Sequence, residues 1–106
     1  MRGDLYRLRT PRDTVGHEQR GQRFAVVVQS DLLKVFSTVL VAPTSTSARE
    51  ADFRSAIDID GKTTKVLLDQ TIAVDPQRLG DFAGRLSSEE LDEVDTALRL
   101  VFGLFW

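Results

Sequence analysis

The sequence predicts a small, mainly β domain closed by one C-terminal helix. Apolar and β-branched residues recur in short alternating or continuous runs through the first three quarters of the chain, the patterning of strands. A serine–glutamate capping box, followed by apolar residues three and four apart, marks a helix near the end. The length of 106 residues, 42% of them hydrophobic, suits one core. Residues 1–106 are therefore expected to form a single domain.

Each element has its own justification. Leu5 alternates with Tyr6, Arg7 and Leu8, which predicts an opening strand with Leu5 and Arg7 on one face and Tyr6 and Leu8 on the other. Residues 10–22 are polar and hold Pro11, Gly16 and Gly21, a loop long enough to suggest a function. The unbroken run from Arg23 to Gln29 through Ala25, Val26, Val27 and Val28 is the mark of a strand covered on both faces. After a turn at Ser30 and Asp31, residues 37–42 form another buried strand, which Pro43 is expected to terminate. Residues 43–53 read as a hydroxyl-rich connection. Strict alternation over residues 55–60 predicts a half-exposed strand, with a turn at Asp60 and Gly61. Short strands follow at 64–68, 71–74 and 81–86, with a single turn at Pro76–Leu79. Ser87 is the expected N-cap of the helix and Glu90 its capping partner; Leu91, Val94, Leu98, Val101 and Phe102 form its expected buried face, and Gly103 stops it. Such a set implies a strongly curved sheet or barrel with the helix packed against it.

Composition removes several classes of chemistry. The absence of cysteine excludes disulfides, thiol nucleophiles and cysteine-ligated zinc, and a single histidine excludes the usual histidine metal sets. No G-x-S-x-G elbow or phosphate-cradling glycine loop occurs. No metal site and no cofactor are expected. The opening residues are too polar for a signal peptide and no apolar run could span a bilayer, so the expectation is a cytoplasmic protein without membrane contact.

Charge is uneven. Fourteen Lys and Arg against sixteen Asp and Glu give −2 overall, yet residues 1–23 carry six arginines against three acids. Arginine suits planar contacts to phosphate. An arginine-rich edge on an acidic body fits a short anionic ligand and fits a long duplex poorly. Arginines, hydroxyls and carboxylates together can carry out phosphoryl chemistry: a guanidinium neutralises charge on phosphate oxygens, hydroxyls or amides orient the group, and one residue handles protons. On RNA the attacking oxygen can be the substrate's own 2′-OH.

Four segments, in order, carry a resemblance. The run Gly16-His17-Glu18-Gln19, Gly21, Arg23 and Ala25-Val26-Val27-Val28 resembles the G-x-E-x-x-G-x-R-P-x-V-V-V signature of the MazF/PemK/Kid toxins. Arg2-Gly3-Asp4-Leu5-Tyr6 is similar to that family's opening. Val39-Leu40-Val41-Ala42-Pro43-Thr44-Ser45-Thr46 is similar to its V-V-V-P-[IV]-T-S strand end, and Val66-Leu67-Leu68-Asp69-Gln70-Thr71-Ile72 to its D-Q-[IV]-R-[TS]-[IV] segment. The resemblance implies a homodimer of SH3-like barrels, of the MazF/Kid/CcdB type, each with a C-terminal helix. It further implies a toxin that cuts single-stranded RNA, messenger RNA foremost, at short sequences without metal, leaving 2′,3′-cyclic phosphate and 5′-OH ends. An acidic MazE-like antitoxin would silence it by filling the RNA groove.

Carried onto this chain, the catalytic candidates are Arg23, which would stabilise the phosphate and hand a proton to the leaving 5′-oxygen, and Ser45, which would orient the phosphate. His17, Glu18, Gln19, Thr44, Thr46, Asp69 and Gln70 are the RNA-binding candidates, with Arg7, Arg9, Arg12 and Arg20 as a positive edge. Strand register decides which of Thr44, Ser45 and Thr46 meets the phosphate, since neighbours point to opposite faces. Each candidate also has a structural reading: Arg23 as a surface partner of Glu18, Ser45 as a loop cap, His17 as a solvated side chain, Asp69 and Gln70 as a turn pair. Phe102, Phe105 and Trp106 suit core or dimer surface better than base stacking. The chain departs from the family pattern at Phe24, where proline is usual, and at Leu67, where the Kid branch has an arginine. Two alternatives follow: a non-enzymatic gyrase poison of the CcdB type, and a family member whose activity has decayed.

Overall fold

The computed structural model describes residues 1–9, 23–33 and 37–104. Seven strands come first: β1 (Asp4–Leu8), β2 (Phe24–Val27), β3 (Val39–Ser45), β4 (Arg54–Ile59), β5 (Lys62–Leu67), β6 (Ile72–Val74) and β7 (Leu79–Arg85). The helix α1 (Ser88–Phe102) closes the chain, and short 3-10 turns sit at Leu68–Gln70 and Pro76–Arg78. The sheet is antiparallel throughout, in the order β4-β5-β3-β2-β1-β7, with β6 also paired to β3. Among the described residues β4 and β7 do not pair with each other, so the expected barrel is an open half-barrel.

Alternation along β1, β2 and β3 sorts their side chains between two apolar clusters. Leu5, Val26, Val28 and Ala42 join Ile57, Ile59, Val66 and Leu68, and Val94 and Ala97 of α1 cover them. On the other face Ala25, Val27, Val41 and Val74 pack with Tyr6, Leu8, Val39 and Leu79. The continuous valine run of β2 is thus covered on both faces, as its lack of alternation predicts. Strand β4 is half-exposed, with Ser55, Ile57 and Ile59 inward and Ala56 and Asp58 outward. It turns into β5 at Asp60 and Gly61, whose φ values of 52° and 83° are those of a two-residue hairpin loop.

Pro43 does not end its strand. β3 continues to Ser45, pairing with β6 at residues 39–41 and with β5 at 44–45. Pro43 falls between those partners, opposite the 3-10 turn that separates β5 from β6, where a missing N–H leaves no ladder bond unmade. The helix begins as expected. Glu90 N donates to Ser87 Oγ (3.1 Å), and Glu90 Oε1 accepts from Ser87 N (2.9 Å). The second carboxylate oxygen of Glu90 accepts from Asp58 N (3.0 Å), tying the helix start to the edge strand β4. Its C-cap is Gly103, in the left-handed region at φ 71°. The buried face differs at two positions: Ala97 lies fully inside beside Val94, whereas Phe102 is 61% exposed. Phe102 lies one residue before the cap, about 100° round the helix from Val101, which still packs on the core.

Candidate functional site

The site is set by register across β1, β2, β3 and β5. Ala25 pairs with Pro43 and Val26 with Ala42. Continuing that register toward the start of β2 places Phe24 beside Thr44 and Arg23 opposite Ser45. Two hydrogen bonds support the continuation: Thr44 Oγ1 donates to the Phe24 carbonyl (3.0 Å), and Leu8 N donates to the Arg23 carbonyl (2.9 Å). Ser45 pairs in turn with Lys65 on β5. Residues directly opposite in an antiparallel sheet project from the same face. Leu8, Arg23, Ser45 and Lys65 therefore form one row across four strands, at the open end of β2 and β3.

The same register separates the three candidate hydroxyls. Thr44 points inward: it is 4% exposed, and its hydroxyl is committed to the Phe24 carbonyl. Ser45 is on the opposite face with Arg23, half-buried, its Oγ accepting from Ser47 N (3.1 Å) and lying 3.3 Å from Ser47 Oγ. Thr46 lies beyond the strand and is exposed. Ser45 thus caps the turn that follows and stands in the same row as Arg23.

Arg23 is exposed at the mouth of β2. Asp69 and Gln70 sit exposed on the 3-10 turn after β5. Asp69 is held there by Arg54, whose Nε and Nη2 reach its two carboxylate oxygens at 3.3 and 3.1 Å. Those hydrogen bonds hold the Asp69 carboxyl below its ordinary pKa of 3.8, against a smaller opposing effect of burial. Arg54 also donates to the Arg49 carbonyl (3.3 Å) and stands over the Phe53 ring. His17, Glu18, Gln19, Arg12 and Arg20 lie outside the described residues. Among the described residues, no three His, Cys, Asp or Glu side chains gather as metal ligands would.

Several motif residues turn out to support the sheet. Asp4, 4% exposed, accepts from Arg85 Nε (2.9 Å) and faces the terminal amine at 3.3 Å. Arg2 reaches across to Asp95 of α1 (2.6 Å) and donates to the Val28 carbonyl (3.0 Å). Phe24 packs on the core beneath the Arg7 guanidinium, 5.4 Å from its ring centre, and Leu67 is 5% exposed. Both departures from the family pattern are therefore filled by apolar packing. Lys65 beside Ser45 and Arg54 beside Asp69 were not legible as neighbours of the candidates. Alternation alone puts Lys65 on the outer face of β5, but only the pairing shows that it faces Ser45. Arg54 falls between the hydroxyl-rich connection and the alternating strand, where neither pattern gives it a partner.

Residues 1–102 match the model of the PemK-like, MazF-like toxins of type II toxin–antitoxin systems. A candidate toxin of Mycobacterium tuberculosis is 36% identical over 105 residues, covering 98% of both chains. The endoribonuclease EndoA of Bacillus subtilis is 34% identical over 110 residues, covering 97% of this chain and 94% of its own. Among solved structures, a mycobacterial endoribonuclease in complex with its cognate antitoxin superposes with a TM-score of 0.80 at 23% identity, covering 100% of this chain and 97% of that one. MazF from Deinococcus radiodurans gives 0.75 at 24% identity, covering 97% and 96%. The architecture is that of the MazF-type toxins. The chain belongs to the PemK-like, MazF-like family of type II toxins.

Proposed function

We propose that this protein is an endoribonuclease toxin that cuts single-stranded RNA, with Arg23 and Ser45 meeting on the scissile phosphate. One observation carries the assignment of residues: the register that brings Ser45, and not Thr44, onto the face and row of Arg23. The ribose 2′-OH attacks phosphorus, the bond from phosphorus to the 5′-oxygen breaks, and the products are a 2′,3′-cyclic phosphate and a 5′-OH. The attacking hydroxyl gives up one proton and the departing oxygen gains one, so no water, metal or cofactor enters the step. The Arg23 guanidinium donates hydrogen bonds to the phosphate oxygens as negative charge accumulates. Ser45 fixes the phosphate against it. Gln70 and the Asp69 carboxylate line the approach, and His17, Glu18, Gln19 and Thr46 complete the RNA surface.

The family match supports this reading over the gyrase-poison alternative, as does the 34% identical relative that is named an endoribonuclease. A protein antitoxin with an acidic segment is the expected inhibitor, because it can occupy the cationic row in place of RNA. Association of two copies is expected through exposed apolar side chains, among them Phe82 and Phe102. In the deciding experiment the protein is incubated with mixed-sequence single-stranded RNA in EDTA, beside an all-deoxy control. Cyclic-phosphate ends on RNA, intact DNA, and loss of cutting in a folded Arg23→Ala variant are the expected results. Cutting by Arg23→Ala at the wild-type rate would refute the assignment.

A further inference from the structure

We infer that Lys65 is a second phosphate-binding residue, gripping a phosphate next to the one that Arg23 and Ser45 engage. This rests on the endoribonuclease reading and extends its substrate site. Lys65 is the register partner of Ser45 on β5, so its side chain leaves the sheet on the same face, with Ser45 between it and Arg23. Adjacent strands lie about 4.8 Å apart, which puts the backbones of Arg23 and Lys65 about 10 Å apart. Two cations at that spacing suit two phosphates of one extended strand.

The present partner of Lys65 is a poor one. Its ammonium lies 3.9 Å from Glu50 Oε2, at the long limit for an ion pair, and Glu50 is 85% exposed while Lys65 is only 19% exposed. The lysine stem is thus packed against the sheet and held in place, whereas the carboxylate is free to leave. A pair this long, with one partner 85% exposed, is weak and screened by salt. Among the described residues Lys65 makes no second ion pair, so an arriving phosphate has only Glu50 to displace. Glu50 therefore competes with RNA for Lys65, which a purely structural pair would not do.

The test uses a single-stranded RNA bearing a cleavage site mapped on the wild-type protein, with 2′-deoxyribose at the attacking position so that it binds uncut. Affinity is measured against salt concentration. Lys65→Gln should weaken binding several-fold and reduce the slope of log K against log salt by about 0.7, the value for one phosphate contact on a single strand. Lys65→Arg should restore the slope, and Glu50→Gln should tighten binding. A methylphosphonate placed at successive positions should reveal one site beside the scissile bond whose neutralisation weakens the wild type but not Lys65→Gln. An unchanged slope in a folded Lys65→Gln, or methylphosphonate losses equal in both proteins, would overturn the inference. A wild-type protein that neither cuts nor binds RNA would refute the underlying endoribonuclease reading instead.

Discussion

Thr44 and Ser45 are neighbours with the same functional group, and the structure gives them opposite consequences on mutation. Thr44 is 4% exposed and donates to the Phe24 carbonyl at 3.0 Å. Thr44→Val keeps the shape and removes the donor. A neutral hydrogen bond is worth about 1 kcal/mol net, and depriving a part-buried acceptor of its donor raises the cost, so the variant should lose about 1–2 kcal/mol. For a domain of this size that lowers the melting temperature by about 5–10 °C. Its cleavage rate below the melting range should stay near that of the wild type. Ser45→Ala removes only a half-buried turn bond to Ser47, so stability should move by less than about 0.5 kcal/mol. Cleavage should instead fall by about 10²–10³, the loss that follows removal of one preorganised donor to a charged transition state. Urea unfolding and single-turnover cleavage of one RNA oligonucleotide read both quantities on the same samples. The reasoning fails if a folded Thr44→Val is inactive while Ser45→Ala cuts normally, because the register would then place the wrong hydroxyl on the phosphate.

Three further outcomes test the framework around the site. Arg54 holds the Asp69 carboxyl below 3.8, so the folded protein binds that proton more weakly than the unfolded chain does. The stabilisation is complete above the unfolded value and is lost as pH falls through the lower folded one. With the two side chains 19% and 31% exposed, solvent screening limits it to about 1 kcal/mol. Asp69→Asn should therefore be less stable than wild type at pH 7, with the gap closing below pH 3.8 in denaturation curves recorded across pH; a gap that persists unchanged at the acid end would contradict the ion-pair account. Ser87→Ala should cost about 1 kcal/mol by removing the N-cap, read as a lower urea midpoint at unchanged slope. Because Glu90 also holds Asp58 N, Glu90→Ala should cost more than Ser87→Ala.

The strand order of events was largely legible, because hydrophobic period and turn chemistry are local. The valines of β2, the alternation of β4, the hairpin at Asp60 and Gly61 and the cap at Ser87 each state their conformation within a few residues. What the sequence could not display is pairing. Pro43 looks like a strand terminator until β3 is seen to change partners there. Phe102 fits the helical spacing of the buried face, yet it is exposed at the flank of that face beside the cap, while Ala97, too small to stand out in the pattern, lies fully inside. The site shows the same division. Arg23 and Ser45 could be nominated from motif and chemistry, but their placement in one row, the inward turn of Thr44 and the addition of Lys65 follow from long-range register.

That register also explains why the end of β3 is suited to chemistry at all. The strand is a ladder member along its whole length, so its backbone is fixed, yet its far-side partner changes from β6 to β5 across the 3-10 turn that carries Asp69 and Gln70. β2 begins where β3 ends, which brings Arg23 to the rim and not into the sheet interior. A group on the last residue of a paired strand combines a fixed backbone with an open approach. One residue earlier, Thr44 is inside the core and closed to substrate; one residue later, Thr46 has left the ladder and lost its fixed direction. Ser45 is the position that keeps both properties. Moving the hydroxyl by one residue, as in Ser45→Ala combined with Thr46→Ser, should therefore fail to restore cleavage even though the hydroxyl is retained. Recovery of the wild-type rate in that double variant would show that exposure alone, without the ladder, is enough.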